Sequence, residues 1–300
     1  MKNLLSDCNE FKVAHTGNAG FANLAQRPTN IKPIYSSKEH YQMLLLETQQ
    51  EIGQLQEMLY VYNRYAILLI FQGMDSAGKG GVIKHVMSGV NPQGCQVFSF
   101  QQPSLEELDH DFLWRSNKCL PERGRIGIFD RSYYEEVIVV RVMPDLLEQQ
   151  RLPLECIDPK KIWMERFQDI INLEHYLHRN GIQIIKFFLH LSKEEQRQRL
   201  IARIDEPSKN WKIGRTDLEA HKHWEAYQLA YDECIAATST HHAPWYIIPA
   251  DDKRNARLLV SHIIVETLQA LKIAYPILSK DQLKELATIR QLLENEKPPN

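Results

Sequence analysis

The chain has 300 residues, of which 43% are hydrophobic, and a formal net charge of −2. This length and composition suit one sizeable α/β domain or two small ones, and the near-neutral charge argues against bulk affinity for nucleic acid or acidic membranes. The five cysteines are scattered without C-x-x-C spacing, no apolar run suits a signal peptide or a membrane span, and the twelve histidines show no zinc-ligand spacing. We therefore expect a cytoplasmic protein with free thiols and neither a membrane nor a nucleic-acid partner.

The N-terminal third predicts an arm, a helix and a buried strand. Residues 1–35 are polar and aperiodic and predict an extended arm. Ser36–Asn63 has apolar residues at helical spacing, which core packing explains. Ile67–Phe71 is a continuous apolar run and predicts a strand that is buried on both faces.

A glycine-rich loop follows this strand and matches the phosphate-binding pattern G-x-x-x-x-G-K. Its glycines allow backbone N–H groups to surround an anion, and the helix that begins near Lys79 points its positive end at the same place. An ordinary glycine-rich turn between a strand and a helix is the alternative. The predicted phosphate-binding positions are Gly73, Ser76, Ala77, Gly78, Lys79 and Gly80, with Lys84 either near the phosphates or simply on the surface.

The loop departs from the usual motif at one position. Gly80 stands where most such loops place Ser or Thr to hold Mg²⁺. Asp75, within the loop, is the candidate for the missing oxygen ligand, and the alternative is a helix N-cap. A carboxylate beside bound phosphates is unfavourable unless a metal ion lies between them, so we favour the metal role.

A second acidic residue follows the third predicted strand. Cys95–Phe100 predicts the second strand, and Ser104 with Glu107 predicts a capping box that opens a helix to about Cys119. Arg125–Asp130 then predicts an apolar strand that ends in Asp, as in Walker B segments, where the carboxylate holds Mg²⁺. Asp130 could alternatively cap the next helix. Arg131 comes directly after it and could neutralise phosphate.

The next elements lead to a basic segment. Asp158-Pro159 is expected to open a helix that runs to Arg179, Ile182–Leu189 to form the fourth strand, and Ser192 with Glu195 to form another capping box. Residues 193–215 carry an excess of Lys and Arg, which suits a mobile lid over phosphates; a solvated helix face is the alternative. The predicted phosphate contacts of this lid are Arg199, Arg203, Lys209 and Lys212.

The remaining segments complete an α/β pattern. We expect a helix from Thr216 or Asp217 to Thr238, a fifth strand at Trp245–Ile248, a helix from Asp252 to Leu271 and a charged helix at Asp281–Glu296. Strands that alternate with helices predict a five-stranded parallel sheet with helices on both faces. This gives one domain over residues 36–275 with a helical lid, and a C-terminal helical tail over 276–300.

With these residues in view, the chain closely resembles the polyphosphate kinase 2 family over roughly Tyr35–Leu271. The matching stretches are LLIFQGMDSAGKGGVIKHVMSGVNPQG, IGIFDRSYYEEVIVVRVMP, RLIARIDEPSKNWK and TSTHHAPWYIIPADDK. The resemblance implies a P-loop kinase fold similar to thymidylate kinase. It also implies Mg²⁺-dependent transfer of phosphate from inorganic polyphosphate to a nucleotide, and the reverse, with Mn²⁺ as an alternative ion. A homodimer or homotetramer is expected.

The resemblance also implies roles for individual residues. Asp75 and Asp130 would hold the metal, and Lys79 and Arg131 would bind the reacting phosphates. The diphosphate subgroup of the family reads FDRSWYNRA, whereas this chain reads FDRSYYEEV, with Glu135 at the Asn position. That resembles the subgroup that accepts both AMP and ADP and forms ADP and ATP. We assign nucleotide binding to Glu135 and Asn91.

Three other functions share some of these features. An ATP-dependent nucleoside monophosphate kinase would share the P-loop and the lid. A nucleotide-driven switch is disfavoured because the chain has no N-K-x-D base-reading motif. A non-catalytic scaffold is disfavoured because Asp75, Lys79 and Asp130 are all present.

Overall fold

The structure is a computed structural model that describes residues 8–14 and 21–296. Its centre is a five-stranded parallel sheet in the order β2-β3-β1-β4-β5. The strands are β1 (Ala66–Gln72), β2 (Cys95–Ser99), β3 (Ile126–Asp130), β4 (Ile182–His190) and β5 (Trp245–Pro249). The predicted α/β class and parallel sheet are confirmed.

Helices connect the strands and extend both ends of the described chain. The longer helices are α1 (Lys38–Tyr62), α2 (Lys79–Val86), α5 (Glu135–Val142), α7 (Ile162–Arg179), α8 (Lys193–Asp205), α9 (Arg215–Lys222), α10 (Trp224–Thr238), α11 (Lys253–Ala270) and α12 (Lys280–Asn295). Four-residue helices are α3 (Leu105–Leu108), α4 (Trp114–Asn117) and α6 (Asp145–Glu148). The 3₁₀ turns are Cys8–Phe11, Leu24–Gln26, Pro92–Gly94, Leu154–Cys156 and Pro207–Lys212. Over residues 8–14 and 21–296, none of the helices is both long and apolar enough to cross a bilayer.

Side chains of β1 alternate between two apolar cores. Ile67, Leu69 and Phe71 face one core, to which helices α1, α2 and α11 contribute. Leu68 and Ile70 face the other, which includes residues of α5, α7 and α10. Because successive side chains of a strand point to opposite faces, a strand covered on both sides must be apolar throughout. This explains why β1 reads as a continuous apolar run.

The described parts of the predicted arm lie along the sheet and its carboxyl edge. The N–H of Val13 donates to the carbonyl of Trp245 at 2.8 Å, which aligns residues 8–14 with β5. Further along, the Thr29 hydroxyl donates to Asp251, and the Tyr35 hydroxyl donates to Asp252, each at 2.8 Å. The rest of the predicted arm, residues 1–7 and 15–20, falls outside the described residues.

Two predicted helices are interrupted. The capping box of Ser104 and Glu107 is present, but it opens only the four-residue α3. The Asp111 carboxylate then accepts a hydrogen bond from the N–H of Leu113, and this local bond competes with a continuing helix before α4 begins. The helix predicted up to Thr238 is likewise two helices, α9 and α10, separated at His223.

Other boundaries differ by a turn. Asp158 does not cap a helix; it forms a turn in which its carboxylate accepts from the N–H of Lys160, and α7 begins only at Ile162. Ser192 caps α8 as predicted, but the Glu195 carboxylate does not reach back to complete a capping box and accepts from Arg199 instead. Helix α9 is capped through Asp217, whose carboxylate accepts from the N–H of Gly214 at 2.9 Å.

Candidate active site

The glycine-rich loop connects the carboxyl end of β1 to the start of α2. Gly73 and Gly78 have φ angles of +149° and +103°, a region that residues with a side chain rarely adopt. A Cβ on Gly73 would also lie 3.0 Å from the carbonyl oxygen of Leu189 on the neighbouring strand. The loop therefore needs glycine at these positions, and its backbone can surround an anion at the N-terminus of α2.

Lys79 is the first residue of α2, and its side chain turns back into the loop. It is only 8% exposed, and its Nζ donates to the carbonyl of Gly73 at 2.7 Å. Burial lowers its pKa, and so does the nearby Arg131, although the carboxylates of Asp75 and Asp130 act in the opposite direction. Among the ion pairs of the described residues, Lys79 takes part in none. It is thus a buried cation without a directly bound anion.

Arg131 pairs directly with the loop carboxylate. Its Nη2 lies 2.6 Å from Oδ1 of Asp75. Arg131 has a φ of +66°, an uncommon conformation for a non-glycine residue, and its N–H donates to the carbonyl of Phe71 at 3.0 Å. Burial works against the positive charge, but Glu135 and Asp75 outweigh it and raise the pKa of Arg131. The residue after β3 is therefore fixed against the residues after β1.

Asp130 lies where the metal-binding hydroxyl of a usual P-loop would be. A Cβ built on Gly80 would lie 3.6 Å from Oδ2 of Asp130. The register of the sheet explains this proximity, because Asp130 pairs with Phe71 at the ends of β3 and β1. The loss of the Ser or Thr side chain thus coincides with a carboxylate that reaches the same region.

The residues present suit a divalent metal ion. Asp75, Asp130 and Glu135 bring three carboxylates to the two cations Lys79 and Arg131. A site with this acidic excess attracts phosphates only if further positive charge is present, and carboxylate oxygens are ligands that Mg²⁺ prefers. Two buried oxygens in the same loop region, Ser76 Oγ and Gln72 Oε1, have no hydrogen-bond partner among the described residues. The Ser76 hydroxyl can donate to a phosphate or a water, whereas the Gln72 oxygen can only accept, for example from an ordered water.

Glu135 faces the same cluster from the start of α5. Burial raises its pKa, against the effect of Arg131 and Lys79. Tyr227 on α10 lies near it, and burial together with Glu135 and Asp75 raises the pKa of the Tyr227 phenol to about 12. The aromatic spacing of α10 correctly indicated a buried stripe, but nothing in the sequence indicated that this phenol lies beside Glu135 and Asp75.

Arg199, a predicted phosphate contact, holds the P-loop backbone. Its Nη1 donates to the carbonyls of Ser76 and Ala77, and its Nη2 to those of Ala250 and Asp251, at 2.7–3.1 Å. Nε donates to the Glu195 carboxylate at 2.7 Å. The guanidinium is 7% exposed. Its N–H groups are therefore engaged, and it joins α8 to the phosphate-binding loop and to the end of β5.

The other predicted phosphate contacts lie farther out on the surface. Arg203 is partly exposed and donates to the carbonyl of Lys212 at 3.3 Å. Lys209 pairs with Glu206, and Lys212 lies over the ring of the exposed Trp211. Lys84 is exposed on the second turn of α2. These cations are accessible to a large anion, in contrast to Arg199.

The structure places Asn91 away from the other predicted site residues. Asn91 precedes β2, at the amino end of the strands, whereas the P-loop, Asp130 and Arg131 lie at the carboxyl end. Its side chain caps the 3₁₀ turn Pro92–Gly94 by accepting from the N–H of Gln93 at 3.0 Å. The assignment of Asn91 to nucleotide binding was therefore wrong. The Asn-Pro pair serves the turn that the same letters also predicted.

Two further residues belong to the site. Gln196 is fully buried on α8, and its side-chain amide donates to the carbonyl of Asp75 at 2.9 Å. Lys253 opens α11 at the carboxyl end of β5, and burial, together with the cations Arg199 and Lys209, lowers its pKa. From the sequence, Asp251 and Asp252 were interpreted mainly as caps of the helix after β5, and Lys253 was not assigned to the site. Their position at the carboxyl end of a parallel strand was the available signal.

Comparison with known proteins decides the family. The family model described as Polyphosphate kinase 2 matches residues 35–276. The chain belongs to the polyphosphate kinase 2 family. An ADP-polyphosphate phosphotransferase of Rhodopseudomonas palustris is 54% identical over 94% of this chain and 98% of its own length. An AMP/ADP-polyphosphate phosphotransferase of Meiothermus ruber is 44% identical over 76% of this chain and 80% of its own.

A crystal structure of polyphosphate kinase 2 from Arthrobacter aurescens has the same fold. It superposes with a TM-score of 0.81, is 36% identical, and covers 94% of this chain and 95% of its own. The family and the P-loop kinase fold that the sequence predicted are both confirmed. The chain is a kinase-type phosphotransferase of this family, which generally needs a divalent metal ion.

Proposed function

We propose that this enzyme transfers the terminal phosphate of inorganic polyphosphate to AMP and ADP in the presence of Mg²⁺, forming ADP and ATP, and catalyses the reverse reaction. The observation that carries this proposal is the junction of β1 and β3. There a buried lysine without an anionic partner, an arginine and three carboxylates meet around a glycine-rich loop. Similarity to phosphotransferases that are named for polyphosphate indicates the donor.

In the proposed mechanism, the loop backbone, the N-terminus of α2 and Lys79 bind the phosphates that react. Asp75 and Asp130 would hold Mg²⁺, with Mn²⁺ as an alternative, and the ion would neutralise charge on the phosphate oxygens. Arg131, held by Asp75, stabilises the negative charge of the transferring group. A nucleotide phosphate is already ionised at neutral pH, so no strong general base is required. Positioning and electrostatic stabilisation thus account for the chemistry.

The lid segment supplies the surface for the polyphosphate chain. We assign this contact to the accessible cations Arg203, Lys209 and Lys212, with Lys84 and Lys253 nearer the loop. Arg199 instead acts as a positioning residue, because it binds four backbone carbonyls of the P-loop and of the β5–α11 connection. A long anion needs several mobile cations along its length, whereas the loop needs one fixed shape.

Glu135 is assigned to the choice of nucleotide. Two similar proteins differ in their names, since one is called an ADP and the other an AMP/ADP phosphotransferase. We propose that both AMP and ADP are accepted here, and the Glu at position 135 in FDRSYYEEV supports this. Its carboxyl lies near Arg131 and Lys79, where the acceptor phosphate would approach.

The test supplies AMP and ADP separately with long-chain polyphosphate and Mg²⁺, without ATP, and separates the products by ion-exchange chromatography. We expect ADP and ATP from AMP, and ATP from ADP. ATP from ADP alone would restrict the acceptor to diphosphates. If neither nucleotide reacted until ATP was added to AMP, the donor would be a nucleotide and the proposed function would be wrong.

The cysteines and the exposed face of the C-terminal helix bear on location and assembly. We propose a cytoplasmic enzyme, and the absence of a disulfide among the five cysteines, all of which are described, supports a reducing compartment. We also propose a homodimer or homotetramer. Exposed leucines on α12, including Leu283, Leu286 and Leu293, support an association of subunits. Analytical ultracentrifugation of the full chain tests it, with a monomer at micromolar concentration as the contradicting result.

A further inference from the structure

Outside the reaction site, three side chains with metal-binding atoms meet where the N-terminal segment packs on α11. Cys8 opens the 3₁₀ turn Cys8–Phe11, and His262 and Glu266 lie one turn apart on α11. The sulfur of Cys8, a ring nitrogen of His262 and a carboxylate oxygen of Glu266 all lie within 4.8 Å of one another. Nε2 of His262 lies 3.4 Å from Oε1 of Glu266.

Two of the three side chains in this cluster are buried, and the third is exposed. Cys8 and His262 are 4% and 7% exposed, whereas the Glu266 side chain is 52% exposed. The two softer ligands are thus shielded from solvent, and the flexible carboxylate covers them from the surface. Burial, Cys8 and Glu266 together raise the pKa of the adjacent Tyr246 phenol to about 12, so a further polar side chain lies close to the cluster.

The ligand set determines which ion would fit. A thiolate and an imidazole favour Zn²⁺ and similar transition metals, whereas Mg²⁺ prefers oxygen ligands alone. Residues four apart on a helix point to the same side, which is the spacing that helical zinc ligands commonly use. In tetrahedral Zn²⁺ sites neighbouring ligand atoms are about 3.3–3.8 Å apart. The 3.4 Å between His262 and Glu266 falls within this spacing, and the other two distances, at most 4.8 Å, could shorten if the exposed Glu266 side chain rotated inward.

We propose that Cys8, His262 and Glu266 form a Zn²⁺ site that joins the N-terminal segment to α11, with water completing the coordination. The site is separate from the proposed Mg²⁺ site. His262 lies roughly 13 Å along α11 from Lys253, the end that faces the P-loop. Its role is structural. The same N-terminal region donates hydrogen bonds to Asp251 and Asp252 at the rim of the reaction site, so an ion held by Cys8 would help to keep that region in place.

The test uses the full-length protein, reduced and freed of metal by a chelator, without nucleotide or polyphosphate. Co²⁺ is titrated as a spectroscopic substitute for Zn²⁺, and the thiolate-to-metal absorption band is recorded. Asp75 and Asp130 cannot give this band because they offer only oxygen. We expect one equivalent of Co²⁺ to produce the band and one equivalent of Zn²⁺ to remove it. Cys156→Ser is the matched control, since Cys156 is exposed in another 3₁₀ turn.

The variants separate a metal site from a packed cluster. Cys8→Ser should abolish the band, His262→Gln should weaken binding at least tenfold, and Cys156→Ser should behave as the parent. Zn²⁺ should raise the melting temperature of the parent but not of Cys8→Ser, and circular dichroism shows whether each variant is folded. A parent protein without a thiolate band, or a Cys8→Ser variant that retains it, would overturn the proposal. If Cys8→Ser does not fold, His262→Gln decides alone, and unchanged binding there also overturns it.

Discussion

Among the described residues, two lysines are buried in the same molecule with opposite surroundings. Lys186, in the middle of β4, is 0% exposed and donates to the Glu174 carboxylate, the Tyr134 hydroxyl and the Thr238 carbonyl at 2.6, 3.0 and 2.8 Å. Lys79, in the P-loop, is 8% exposed and donates only to backbone carbonyls. Burial lowers the pKa of both.

The two lysines differ in whether a carboxylate is bound directly to the ammonium group. Lys186 has its counter-ion built into α7, and the three N–H bonds of its ammonium are all used, so nothing further can bind there. Lys79 has no ion pair within the described structure, and the positive end of α2 lies beside it. A buried charge is tolerated only with compensation. The charge of Lys79 is balanced only by the carboxylates of the surrounding site, with none bound to it directly, which leaves its ammonium available to a phosphate once a metal ion offsets the acidic excess. The complete network at Lys186 indicates a structural role.

The largest effect on stability is expected from removing Lys186 from its network with Glu174 and Tyr134. Lys186→Met should lower the free energy of unfolding by about 3–5 kcal/mol, because it leaves Glu174 buried without a counter-ion. The double variant Lys186→Met/Glu174→Gln should recover a large part of this loss, since an amide oxygen can still accept from Tyr133 and Tyr134. Denaturant unfolding of parent, single and double variants measures it. A single variant as stable as the parent would remove the distinction between the two lysines.

Substitution of Lys79, which has no direct ion pair, should change the activity and not the stability. Lys79→Met should reduce transfer by about 10²–10³-fold, as expected when one electrostatic contact to a transition state is lost. The free energy of unfolding should stay the same or rise, because a poorly compensated buried charge is replaced by an apolar side chain of similar length. Turnover and denaturant unfolding are measured on the same preparation. If Lys79→Met had a lower free energy of unfolding than the parent but kept the parent's turnover, the lysine would be structural, and the proposed site would be wrong.

The sequence predicted one of these lysines and not the other. The P-loop is a local pattern in which strand, glycines and lysine follow one another, so Lys79 could be found from spacing alone. Lys186 lies within an otherwise apolar strand, and Glu174 and Tyr134 come from two different helical connections. Only the packing of α7 and α5 on the same face of the sheet brings these groups together. No spacing in the sequence encodes that contact.

Arg199 shows a second limit of sequence patterns. Its four-residue spacing from Arg203 correctly predicted a common helix, whereas the phosphate role of the basic segment stays a prediction. The orientation of α8 was not predictable, because it depends on which side of the helix is buried. The buried Gln196 donates to the carbonyl of Asp75 in the loop. As a result Arg199 resembles Lys186 in having all its donors used, although it lies in the reaction site.

A substitution of Arg199 is expected to have a smaller effect than either lysine substitution. Arg199→Lys keeps the charge but cannot reach four carbonyls at once, and unsatisfied buried carbonyls cost about 1–3 kcal/mol each. We expect a lower melting temperature and a reduced kcat with both AMP and ADP. Arg203→Lys is the matched control, and it should alter mainly the KM for polyphosphate. If Arg199→Lys changed only the KM for polyphosphate and left stability and kcat intact, Arg199 would be a donor contact, as the sequence had suggested.

The smallest effect is expected from one hydroxyl of the complete network. The Tyr134 hydroxyl accepts from Lys186 and donates to Oε1 of Glu174 at 2.7 Å, and burial and Glu174 raise the pKa of this phenol. Tyr134→Phe removes both bonds but leaves the ion pair, so the free energy of unfolding should fall by about 1 kcal/mol. Tyr176→Phe, at an exposed position of α7, is the control and should change nothing measurable.

Because Tyr134 precedes Glu135 directly, the ratio of AMP to ADP turnover is measured on the Tyr134→Phe variant as well. A changed ratio at unchanged stability would mean that the network also positions Glu135, and the separation between the structural and the ligand-binding lysine would then be incomplete.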